Sequence, residues 1–164
     1  MRRKGGFTLV ELLIVIVIIG ILAGMALMTM GSATDSAEAT KVVNDLATLK
    51  RIALQYYNDW KIWPATANTA NVISMEAYLD RALFSGASPR YGTTILYSAQ
   101  DYAPTGGGPA TRRNIGVNLP ANGPASTQGV QDKLAGMARD SGLLAGPDSD
   151  AIYTGGTAVY MNMK

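Results

Sequence analysis

The chain has 164 residues, enough for one domain with an appendage, and a formal net charge of +2. So small a charge gives no electrostatic case for nucleic acid or a strongly acidic partner. It has neither cysteine nor histidine, which excludes disulfide closure of any loop and removes the commonest general base and metal ligand.

Arg2, Arg3 and Lys4 come first, followed by Gly5 and Gly6; Phe7 to Met30 is then a run of 24 residues with one charge, Glu11. A helix of that length rises about 36 Å at about 1.5 Å per residue, enough to cross a bilayer core. The basic leader keeps the N-terminus cytoplasmic by the positive-inside rule, so the bulk of the chain is exported.

Three readings of this segment compete. A secretory signal peptide would be cut at a small-x-small site such as Gly24-Met25-Ala26, but its apolar region normally runs about 7–15 residues, and a carboxylate at its start hinders insertion. A plain anchor would leave Glu11 in the headgroup zone, where a charge is cheap beside the about 2.5–3.5 kcal/mol or more at a helix centre. The third reading accounts for more residues. A cut between Gly6 and Phe7 creates an α-amine, positively charged at neutral pH, one turn before Glu11. In helices packed with an axial stagger, the Phe7 amine of one subunit meets the Glu11 carboxylate of another. Each charge then removes the other's desolvation penalty.

The run Lys4-Gly5-Gly6-Phe7-Thr8-Leu9-Val10-Glu11 resembles the prepilin motif of type IV pilins and type II secretion pseudopilins. The resemblance implies that a prepilin peptidase cuts after Gly6 and N-methylates Phe7, that Glu11 is the assembly carboxylate, and that Arg2, Arg3 and Lys4 supply the leader charge. It implies as partners identical subunits in a helical homopolymer, an inner-membrane assembly platform, and membrane lipid before assembly. It places the precursor in the inner membrane and the product in an extracellular or periplasmic filament. Many members carry a proline late in the apolar helix, where this chain has Met28. Gly20 and Gly24 are weak points instead, each costing about 1 kcal/mol against Ala in a helix. Their small-xxx-small spacing also allows close helix approach, although glycine is common in membrane helices for no such reason.

Past Met30 the chain turns polar. Val42, Leu46, Leu49, Ala53, Tyr56 and Trp60 recur at helical spacing and predict an amphipathic face. Asp35, with Glu38 three residues on, resembles a capping signal that marks either a fresh helix start or a break near Gly31. One long helix from about Phe7 to about Asp59 is the favoured reading, with Pro64 just beyond as a stop. Tyr56, Tyr57, Trp60 and Trp63 are dense enough to read as aromatic core with a partly exposed rim. The stretch ALQYYNDWKIWP also resembles the end of the long helix in the same family, more weakly than the prepilin motif does.

Downstream, residues 72–84 read as a short helix, 93–98 and 114–119 as strands, and 130–144 as a helix with Val130, Leu134 and Met137 or Ala138 on one face. Residues 151–163 read as a hairpin turning at Gly155-Gly156. The expectation is an α+β, type IV pilin-like fold, a long N-terminal helix packed on a small antiparallel sheet. The expected divisions are a leader at 1–6, a membrane or filament-core helix at 7–30, its amphipathic continuation at 31–62 and a head at 63–164.

Other chemistry is thin. Arg112-Arg113 with Arg90 read as solvated surface rather than a phosphate grip, and no specific nucleic acid is expected. Asp140, Asp148 and Asp150 near Gly146 lack a full calcium ligand set by spacing, so no metal or other cofactor is expected. Serine catalysis has no histidine partner and no paired carboxylates can be placed, which points away from an enzyme. The functional readings are a pilin subunit, a pseudopilin of a secretion or DNA-uptake system, or an anchored periplasmic binding domain that never polymerises.

Overall fold

The computed structural model describes residues 6–61, 63, 75, 77–79, 83, 91, 95–102, 112–119, 123–146 and 149–163. Its first element, α1, is a 52-residue helix, Leu9–Trp60. It continues without interruption through Met28, Gly31 and the Asp35–Glu38 stretch, so the capping signal there starts no new helix. Glu38 pairs instead with Lys41 at 2.7 Å on the same helix. Lys61 ends α1 in the left-handed region, φ 55, with its N–H donating to the Tyr57 carbonyl at 2.8 Å. By internal contacts the chain divides into two units, Met1–Thr34 and Asp35–Lys164.

In the first unit every described side chain from Phe7 to Met30 is exposed, and α1 there is long and apolar enough to cross a membrane. The second unit holds the core. Ala39, Val42, Leu46, Leu49 and Ala53 are wholly buried and Ile52 nearly so. They lie on one stripe because residues three and four apart share a helix face.

Among the described residues the sheet has four antiparallel strands in the order β1-β2-β4-β3: β1 Ile95–Tyr102, β2 Arg112–Asn118, β3 Leu143–Leu144 and β4 Ala158–Asn162. Ile115 and Val117 of β2 face Met161 and Val159 of β4, and all four join the core that includes the α1 stripe. Between β2 and β3, a 3-10 turn, Pro124–Ser126, leads into helix α2, Gln128–Ser141. Thr127 caps its start, and Gly142, at φ 66, closes its end by donating to the Ala138 carbonyl. Val130, Leu134 and Ala138 are its buried face, while Met137 is only half-buried against the core.

Two expectations need correction. Residues 151–163 are not a simple hairpin. Gly155 and Gly156 do turn the chain with positive φ, 139 and 125. However, Ile152 bridges Leu144 and the Tyr153 N–H donates to the Leu143 carbonyl at 3.0 Å. Both edges of β4 are taken by β2 and β3, which leaves no edge for 151–154. The helix expected over 130–144 stops at Ser141, and Leu143–Leu144 form β3 instead; Arg112-Arg113 begin β2. Of the expected helix at 72–84, Met75, Ala77–Leu79 and Leu83 are described, with one turn in which the Tyr78 N–H donates to the Met75 carbonyl at 3.1 Å. The rest of that segment, Pro64 and Arg90 lie outside the described residues.

Candidate functional site at the helix start

Gly6, Phe7 and Thr8 precede α1 in non-helical conformation, and all three are exposed, Phe7 at 86%. Leader residues Arg2, Arg3 and Lys4 lie outside the described residues. Thr8 and Glu11 form a reciprocal pair. The Thr8 N–H and its hydroxyl both donate to Glu11 Oε2 at 2.8 Å, and the Glu11 N–H donates to Thr8 Oγ1 at 3.3 Å. This is a capping box, in which two of the donors orphaned at a helix start are satisfied by the side chains themselves. The T-x-x-E signature ahead of an apolar run was legible in the sequence, yet Glu11 was read there only through its charge.

The capping box gives Glu11 a local role within one chain, and it leaves the carboxylate capable of a second one. Both donors converge on Oε2, whereas a carboxylate accepts at about four lone-pair positions. Gly20 and Gly24 lie on the exposed α1 surface, and nothing approaches within 4 Å of where their β-carbons would be.

The aromatic set at the far end of α1 departs from expectation. Trp60 is 62% exposed, Tyr57 is exposed, and Tyr56 and Trp63 are half-buried. The buried stripe ends at Ala53, and beyond it the side chains emerge from the head. The rings form two separate sets rather than one continuous stack. Tyr57 stacks on Trp63 at 4.3 Å between centroids, while Tyr56 meets Trp60 at 6.3 Å and Tyr78 at 6.2 Å. Among the described residues no group of three or more acidic side chains could hold a metal. Asp148 lies outside them.

Residues 1–27 match the prokaryotic N-terminal methylation motif. Over 130 residues the chain is 32% identical to fimbrial protein Q of Moraxella bovis, an alignment covering 79% of this chain and 66% of that protein. The chain belongs to the type IV pilin and pseudopilin family. Two further relatives match a shorter stretch. The type II secretion system core protein G of Klebsiella pneumoniae is 38% identical over 66 residues, 40% of this chain and 47% of that protein. The type IV major pilin protein PilE of Neisseria gonorrhoeae is 39% identical over 69 residues, 42% of this chain and 41% of that protein. The chain thus aligns with from about two-fifths to just under two-thirds of these curated relatives' lengths. No solved structure gives a significant match.

Proposed function

We propose that this chain is a pilin, the structural subunit of an extracellular type IV pilus-like filament. A prepilin peptidase removes residues 1–6 after Gly6 and methylates the Phe7 amine. The precursor sits in the cytoplasmic membrane through α1, with its N-terminus in the cytoplasm. During assembly, Glu11 of one subunit accepts from the Phe7 amine of a neighbour, which fixes the axial stagger of the helices. Identical subunits and the inner-membrane assembly platform are the partners, and Gly20 and Gly24 allow helices to approach closely or yield locally.

The observation that carries this reading is the position of Glu11. It is the one charge between Phe7 and Met30, on a helix end that is otherwise apolar and exposed. An unpaired carboxylate leaving the membrane edge for a dry helical bundle is penalised by several kcal/mol, and a fixed ammonium offsets that. The capping box supports the same reading, because it orients the carboxylate before any partner arrives.

The pseudopilin reading has a specific observation in its favour, the matches to secretion core protein G. Those cover only about 40% of this chain, whereas the match to the Moraxella fimbrial protein covers 79% and reaches into the head. The head alignment favours the pilin.

The test is Glu11→Ala beside Glu11→Gln, each as the sole copy of the gene. The reading expects normal membrane insertion with loss of sheared filaments in both. Glu11→Gln retains acceptor capacity for the capping box, so filament loss there isolates the need for charge. Abundant filaments from Glu11→Gln would refute the pairing.

A further inference from the structure

At the end of α1, Tyr56, Trp60, Ala77 and Tyr78 line a cavity of about 390 Å³. Three rings border this open depression. Tyr56 and Trp60 are tilted by 33°, and Tyr56 and Tyr78 meet edge-on at 73°. Two of the polar groups on these rings are engaged in one chain. Trp60 Nε1 donates to Tyr78 Oη at 3.2 Å, and Tyr78 Oη donates to Asp59 Oδ2 at 3.3 Å.

From this arrangement we infer that the cavity binds a compact organic ammonium ion of the trimethylammonium type. Aromatic faces attract such a cation through their quadrupoles, and several faces around one corner are the recurrent cage for it. The hydrogen-bond chain from Trp60 through Tyr78 ends on an anion. Each donor in such a chain is polarised by the next, which pushes electron density back into the rings. The Asp59 carboxylate, one hydrogen bond behind Tyr78, makes the local potential more negative. Lys61, the cation nearest in sequence, is held by Asn58 Oδ1 at 3.1 Å.

A sugar fits the same place less well. It needs a flat stacking platform and several available hydrogen-bonding groups, and here the Trp60 N–H and the Tyr78 O–H are already engaged. A phospholipid choline head group is disfavoured because it carries a phosphate, a charge of the same sign as the nearby Asp59 carboxylate. The ligand class is therefore a free ammonium ion rather than a lipid head.

Tryptophan fluorescence of the full chain in detergent tests this, since Trp60 is one of only two tryptophans. Choline chloride is titrated against sodium chloride at equal ionic strength, the neutral isostere 3,3-dimethylbutanol, phosphocholine and galactose. The expected result is a saturable change with choline alone. Tyr78→Phe keeps the ring and breaks the chain, so it weakens choline by about 2- to 30-fold, the range that cation–π energies allow. Asp59→Asn weakens it similarly. An equal response to the isostere, tighter binding of phosphocholine or galactose, or no effect of either substitution would overturn the inference.

Discussion

The Asp35 carboxylate of α1 occupies the space that a β-carbon on Gly129 of α2 would need. The same carboxylate accepts from the Thr127 hydroxyl at 3.4 Å, and that hydroxyl accepts from the Val130 N–H at 3.3 Å. An acidic group from one helix thus sits on the positive end of another, a placement that stabilises by about 0.3–1 kcal/mol at a helix N-terminus. Glycine at 129 is what lets it come so close.

Gly129→Ala therefore has two opposed effects. Alanine favours a helix interior by about 1 kcal/mol. The Asp35 carboxylate is the far end of a flexible side chain and can turn aside, which gives up its placement at the helix start, about 0.3–1 kcal/mol. The two effects nearly cancel, and the melting temperature of the head changes little. Asp35→Ala alone loses the same placement, so adding it to Gly129→Ala should cost less than it does in the wild-type chain. A thermal melt followed by near-UV dichroism of the full chain in detergent reads this coupling. Additive losses would show that the two residues do not interact.

Gly116 plays a comparable part in the sheet. It lies opposite Tyr160 in the β2–β4 register, and a β-carbon there would strike the Tyr160 ring and come within 2.7 Å of the Val159 carbonyl oxygen. Valine is ordinarily a better strand residue. Here the backbone oxygen cannot rotate away as a side chain can, so Gly116→Val should destabilise by about 1–3 kcal/mol. Equilibrium denaturation with guanidinium measures it, and a gain in stability would contradict this register.

Tyr153 ties the head to alkaline pH. It is 1% exposed, and its hydroxyl donates to the Gly156 carbonyl at 2.8 Å. Burial, with a smaller contribution from the negative Asp132, pushes its pKa up from 10.0 to about 12. A raised pKa means that folding favours the protonated phenol. Its stability contribution is complete below pH 10 and is lost as pH rises through about 12. Tyr153→Phe should flatten that alkaline decline while lowering stability at neutral pH through the lost hydrogen bond. A pH series of melting temperatures from 7 to 12 distinguishes the two chains, and parallel curves would refute the assignment.

Much of this is legible in the sequence, where a signal is local and repeated. The apolar run announces a helix by its length, and the stripe from Val42 to Ala53 and the Val130, Leu134 and Ala138 face do so by period. The strands at Ile95–Tyr102 and Arg112–Asn118 were anticipated within a few residues from their β-forming side chains. Contacts between distant segments were not legible. Asp35 looked like a cap on its own helix because a capping motif is defined by sequence neighbours, yet it serves a helix about ninety residues away. Leu143–Leu144 was read as a helix end because a two-residue strand has no period of its own, and β4 supplies its pairing. Composition marks the aromatic cluster as core with a partly exposed rim, and the structure makes it mostly rim. Whether an aromatic side chain is covered depends on where the supporting elements stop, which no local pattern records.

Around the start of α1 the outcome is mixed in the same way. The prepilin resemblance marks Gly6, Phe7 and Glu11, while the hydrogen bonds that hold Glu11 to Thr8 emerge only from geometry. A variant isolates that local role. Thr8→Val removes the hydroxyl from the box but leaves the carboxylate's charge, and loss of a cap costs a helix about 0.5–2 kcal/mol. Filaments should still form, at reduced yield, when sheared material is quantified against wild type. Complete loss equal to that of Glu11→Ala would mean that the capping box, rather than charge pairing, is what assembly requires.

The central claim is that the chain is processed between Gly6 and Phe7 and built into a filament. Intact-mass and N-terminal peptide spectrometry of sheared surface material, set beside the membrane fraction, tests it most directly. Sheared chains should begin at Phe7 with one added methyl group on the α-amine, and precursor beginning at Met1 should be confined to the membrane. Chains that start near Ala26, or that keep Met1 wherever they are found, would contradict it.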